Sequence, residues 1–147
     1  MRVTVIRDPS LTSIERRAVV EARLGPLLRG CGDQLHVPPR AGLCLRLTND
    51  DELRELNARF LGNDAPTDVL AFPAEERERV GDVAISVARA LSQASDGAAE
   101  LRLLAVHGLL HCLGHDHAET GPAELMTALT RELLPGADVP QLEAADA

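Results

Sequence analysis

The chain has 147 residues, 45% hydrophobic and 26% charged, with a net charge of −8, the profile of one soluble globular domain. No apolar run is long enough to cross a bilayer. All fifteen basic residues are arginine and Phe60 and Phe72 are the only Phe, Tyr or Trp residues, so the surface as a whole offers neither a basic field nor a broad stacking platform for nucleic acid. Any RNA binding must then rest on a local arginine cleft.

Met1–Asp8 alternates like a strand and lacks the long apolar core of a signal peptide, so a cytoplasmic location is the expectation. Ser13–Arg29 reads as a helix that Gly25-Pro26 kinks or splits. Cys31–Arg40 reads as a loop, with Pro38-Pro39 excluding regular structure. Gly42–Thr48 alternates as a second strand. Asn49 then caps a helix through about Phe60, with Glu52 as its capping-box partner. Leu61–Thr67 is a loop. Asp68–Pro73 and Val80–Ser86 are short strands on either side of the acidic loop Ala74–Arg79, and a short helix covers Val87–Gln93. Asp96 caps a long helix, Gly97–Leu113, that is apolar on nearly every face and therefore central and buried. A last helix opens at Gly121-Pro122 and runs to Leu134. Residues 1–136 are expected to form a single domain and the acidic tail 137–147 to fray.

The chemistry concentrates at the end of the long helix. His107-Gly108-Leu109-Leu110-His111-Cys112-Leu113-Gly114-His115-Asp116-His117 holds four of the five histidines. His107 and His111 are one turn apart on one helix face. Gly114 suits the left-handed residue that ends a helix, and a chain turned back there can return His117 to the same point. Three neutral imidazoles with an open fourth position are the pattern of a catalytic zinc ion. His115 falls between ligand positions and His36 lies alone in a proline-flanked loop. Asp116 is a candidate for orienting a ligating imidazole from behind, or a plain turn residue. The spacing matches that of metzincin proteases, but Gly108 stands where their general-base glutamate would be. A glycine inside a helix costs about 1 kcal/mol, so this one signals close packing or substrate access. The three cysteines, Cys31, Cys44 and Cys112, are widely spaced and lack a Cys-x-x-Cys pair, which argues against a disulfide framework or a thiolate site.

A second segment runs Leu61-Gly62-Asn63-Asp64-Ala65-Pro66-Thr67-Asp68-Val69-Leu70-Ala71-Phe72-Pro73, followed by Gly81-Asp82-Val83-Ala84-Ile85-Ser86. Taken with the histidine segment, it resembles the YbeY family of bacterial rRNA-maturation endoribonucleases over about Leu43–Leu134. That family's signature pairs His-Gly-x-Leu-His-Leu-x-Gly-Tyr-Asp-His with a loop ending Pro-Thr-Asp-Val-Leu-Ser-Phe-Pro. Cys112, His115 and Ala71 depart from it without consequence for the metal. Leu61 stands where the family usually has an arginine, and Arg59, two residues earlier, is the candidate to replace it.

The resemblance implies an α+β fold, a small four-stranded mixed sheet packed against helices, with a central metal-bearing helix. It implies that His107, His111 and His117 hold one divalent ion, most simply Zn2+. The implied activity is single-strand-specific endoribonuclease action in 3′ end maturation of small-subunit rRNA and ribosome quality control. The partners would be single-stranded RNA and the ribosome or its proteins, with no membrane and no DNA. Arg59, Asp68 and Asp82 are the candidate catalytic side chains. The alternative is a metal-stabilised ribosome-assembly factor with little nuclease activity.

Overall fold

The computed structural model describes residues 1–144. Along the chain lie β1 (Arg2–Arg7), α1 (Ser13–Ala22), α2 (Leu24–Gln34), β2 (Gly42–Thr48), α3 (Asp50–Leu61), β3 (Val69–Pro73), β4 (Arg79–Ser86), α4 (Val87–Gln93), α5 (Gly97–Cys112) and α6 (Thr120–Leu133). The strands form one mixed sheet ordered β1-β2-β4-β3. β1, β2 and β4 run parallel, and β3 runs antiparallel to β4 at the far edge. This is the expected α+β domain.

Side-chain alternation decides what each sheet face meets. Leu43, Leu45 and Leu47 of β2 and Val83 and Ile85 of β4 point into the main core with α5. On the opposite face Leu70 and Ala84 meet Leu53 of α3 in a smaller cluster. α5 runs through the centre, with Leu101, Ala105, Val106, Leu109 and Leu110 fully buried. Each such leucine contributes about 1.5–3 kcal/mol relative to an exposed one.

Three differences from the sequence reading have local causes. The first helix breaks at Arg23, which adopts a left-handed conformation (φ 50°), not at Gly25-Pro26. Pro26 instead sits in the first turn of α2, where its missing N–H is no loss. α2 then continues through Gln34, into the expected loop. At α3, Asn49 accepts from the Glu52 N–H at 2.8 Å, but the Glu52 carboxylate turns to Arg46 and Thr48, so only half the capping box forms.

The tail also differs from expectation over its described part, 137–144. Val139 is buried, Arg131 donates to its carbonyl at 3.0 Å, and the Leu142 N–H donates to Thr127 Oγ1 at 3.0 Å. An apolar side chain and two hydrogen bonds hold this segment against α6; the remainder of the expected tail lies outside the described residues.

Candidate metal centre

His107 and His111 emerge from one face of α5 near its C-terminal end, with their Nε2 atoms 3.1 Å apart. α5 then stops on a two-bond cap: the Gly114 N–H donates to the His111 carbonyl and the His115 N–H to the Leu110 carbonyl, both at 3.0 Å. This is the Schellman arrangement, which needs the left-handed Gly114 (φ 96°). The reversal returns His117, whose ring centroid lies 5.4 Å from those of both other histidines. One ring nitrogen from each of the three falls within 4.8 Å of the others.

This donor set fits a divalent cation. Nitrogens sharing a tetrahedral zinc at about 2.0–2.1 Å lie about 3.3 Å apart, close to the His107–His111 separation. Burial, reinforced by His111 and His117, pushes the His107 pKa down to about 4. Burial also lowers that of His111. Both rings are therefore neutral at neutral pH, with lone pairs available to an ion. His117 Nδ1 lies 3.5 Å from the Glu143 carbonyl, leaving Nε2 as its other ring nitrogen.

Glycine sets how closely this helix approaches the sheet. A Cβ on Gly108 would fall 2.5 Å from Val83 Cγ1, and one on Gly81 would fall 2.4 Å from the Phe72 carbonyl oxygen and 2.9 Å from Cys112 Sγ. Gly108 also lines the adjoining cavity, so close packing and access coincide there. Cys112, inside this contact, is a buried thiol whose pKa burial raises to about 11.

The histidines open into a cavity of about 710 Å³ between β3, α5 and the tail, lined also by Leu61, Asp68, Glu100 and Leu142. Asp68 is thus brought to the site. Gln93 Nε2 donates to Asp68 Oδ2 at 2.9 Å and to Glu100 Oε2 at 2.6 Å, tying the two carboxylates together. Glu100 and Gln93 went unread in the sequence, although Glu100 precedes His107 by two helical turns and so shares its face.

The other candidates are not brought there. Asp82 pairs with Phe72 across β3–β4, on the sheet face opposite Val83 and α5, and forms an ion pair with Arg79 at 3.0 Å. Arg59 is exposed, with its guanidinium 5.4 Å from the Phe60 ring centroid, and no arginine lines the cavity. Asp116 accepts from the Ala118 N–H at 3.3 Å, the turn-residue alternative; the acceptor beside His117 is a backbone carbonyl instead. His115 contributes its backbone to the helix cap.

With this geometry in view, comparison with known proteins is specific. The family model described as Endoribonuclease YbeY matches residues 12–137. The Endoribonuclease YbeY of Chloroflexus aurantiacus is 46% identical over 111 residues, covering 65% of this chain and 71% of that one. The one from a Nocardioides species is 37% identical over 127 residues, covering 76% and 85%. A Thermotoga maritima protein solved in solution shares the fold, with a TM-score of 0.59 at 24% identity over 90% of this chain and 86% of that one. The chain belongs to the Endoribonuclease YbeY family.

Proposed function

We propose that the protein is a metal-dependent endoribonuclease acting on single-stranded RNA. The substrate class is ribosomal RNA, and the role is 3′ end maturation of the small-subunit rRNA and ribosome quality control. The ribosome or its proteins are the partners, and the work is done in the cytoplasm. The observation that carries this reading is the convergence of His107, His111 and His117 on one point that opens into a cavity, in a chain whose relatives are named endoribonucleases. Among the described residues no helix is long and apolar enough to cross a membrane.

The three histidines hold the ion, with zinc favoured by an all-imidazole donor set. When bound, such an ion supplies Lewis acidity toward a phosphoryl oxygen and lowers the pKa of water. The chain's own residues do the rest. Asp68, held in place by Gln93, presents a carboxylate to the cavity as the acceptor for the proton that the attacking hydroxyl, of water or of the RNA's 2′ position, gives up. Glu100, on the same amide, adds a second acceptor. Val139, Pro140 and Leu142 line the apolar side of the cavity. Asp82, on the far sheet face, takes no part.

The test compares wild type with His111→Ala, each with and without chelator, on a single-stranded RNA spanning the rRNA 3′ end, with casein as control. Cleavage lost in the variant and on chelation supports the reading; equal cleavage in all four samples overturns it. A 2′,3′-cyclic phosphate product would assign the attack to the RNA's own 2′-hydroxyl rather than to water. A second reading, a metal-stabilised assembly factor, is favoured by the lack of any arginine in the cavity lining. It expects RNA binding without cleavage.

A further inference from the structure

Three exposed side chains cluster where α3 ends at the outer edge of β3. Phe60 and Leu61 are each 58% exposed and adjacent, so they form a patch rather than a single exposed side chain. The Phe60 ring meets that of Phe72 edge to face, at a centroid distance of 5.6 Å. These are the chain's only phenylalanines, and it has no tyrosine or tryptophan. Arg59 lies against the Phe60 ring and joins no ion pair among the described residues, whereas Arg54, earlier in α3, is paired with Asp64.

The cluster adjoins the histidine cavity. Leu61, next to Phe60, lines that cavity, while Phe72 lies on the other face of β3, towards α3. β3 is an edge strand, so no further strand blocks the route from the cavity across its edge. A ring left more than half exposed, with a guanidinium over it that has no carboxylate partner among the described residues, matches the two parts of a nucleotide. The base has a π-face for the ring, and the phosphate has a charge for the arginine.

We propose that Phe60 and Arg59 form a nucleotide subsite at the cavity mouth, where one unpaired base of the RNA stacks on Phe60 and its phosphate is met by Arg59. The inference rests on the RNA reading above and adds where the strand is gripped. It gives Arg59 a binding role, consistent with its place outside the cavity lining. The base is taken without regard to identity, because stacking on a ring and a charge contact to phosphate read no base edge.

The test measures KM and kcat of metal-loaded protein on a single-stranded RNA in which one nucleotide at a time is made abasic. Wild type, Phe60→Ala, Phe60→Trp and Arg59→Gln are compared. In wild type, the abasic change at one position raises KM about 5- to 150-fold, the range for losing one stacked base. Phe60→Ala raises KM by a similar factor, removes the further effect of that abasic position, and leaves kcat within about twofold. Phe60→Trp restores tight binding. Arg59→Gln raises KM on all sequences and lowers the salt dependence by about one phosphate contact.

An unchanged KM in Phe60→Ala overturns the subsite while leaving the nuclease reading intact. A raised KM with the abasic effect undiminished overturns it as well, since the ring then acts only on structure. If Phe60→Ala changes the oligomeric state but no RNA parameter, the patch is a protein contact and the proposal fails. If wild type neither cleaves nor retains the RNA in filter binding, both readings fall together.

Discussion

The wall of the cavity and its mouth are built on different terms. The wall, meaning the α5–β4 packing that backs the histidines behind the cavity lining, is buried: Val83, Leu109 and Leu110 are at most 1% exposed, and Gly108 and Gly81 leave no room for a methyl group. The mouth, from Arg59 to Asp64 at the end of α3, is exposed throughout. A cation needs its ligands fixed to a fraction of an ångström, so the histidines sit where packing leaves one arrangement. A flexible strand of RNA tolerates exposed, adjustable contacts. The mouth can therefore carry Leu61 where the family resemblance leads one to expect arginine, at little cost to the fold.

If the wall is as tightly determined as this comparison holds, its glycines are its most sensitive points. Gly81→Ala combines a disfavoured φ of 150° with a Cβ 2.4 Å from the Phe72 carbonyl. Backbone cannot yield as a side chain does, so it should cost about 3 kcal/mol. Thermal unfolding should then fall by about 6–12 °C for a chain of this size. Gly108→Ala gains about 1 kcal/mol of helix propensity but meets a buried, stiff Val83. Overpacking of about 1–3 kcal/mol wins, and the metal affinity falls with it. Measured stability equal to wild type in both variants would break the contrast.

The wall should also show itself in acid. With the ion removed by chelator, folded His107 titrates near pH 4 while its ordinary value is 6.5. Between those values the unfolded chain binds a proton that the folded chain does not. This stabilising contribution is whole above about pH 6.5 and is lost as pH falls toward 4. Urea midpoints measured across this range should decline; midpoints flat to pH 4 would contradict the buried, neutral state of the ring.

At the mouth the expected effects are on function. Leu61→Arg places a cation beside the cavity from an exposed position, so stability should change by no more than about 0.5 kcal/mol. Cleavage should rise about tenfold in kcat/KM, as one charged donor near a phosphate would supply at a solvent-exposed site. A fall in activity would mean that Leu61 itself serves the RNA. Smallest of all is Asp82→Asn, which should leave activity within about twofold, because that side chain faces away from α5; a large loss would place it in the machinery after all.

The wall was readable in the sequence because its determinants are local. The helical spacing of His107 and His111, the left-handed requirement at Gly114 and the greasy run of α5 are properties of neighbouring residues. Gly108 announced a close approach, though not that Val83 was its partner. The surroundings of the wall were less readable because their determinants are long-range. Nothing near Asp82 tells which face of β4 it occupies, since a shift of one residue in strand register reverses every side chain. Nothing near Gln93 reveals that it joins Asp68 to Glu100. The hold of the tail depends on Thr127 and Arg131, in a helix that precedes it, and composition alone suggested fraying.

Titration of metal-free protein with Zn2+, followed by RNA cleavage at each point, bears most directly on the central claim. Wild type should bind one ion per chain with cleavage rising in step to saturation at one equivalent. His107→Ala, His111→Ala and His117→Ala should each lose both the tight site and the activity while retaining the fold. Full RNA cleavage by the metal-free protein, or tight binding of one ion that survives the loss of any of these histidines, would contradict it.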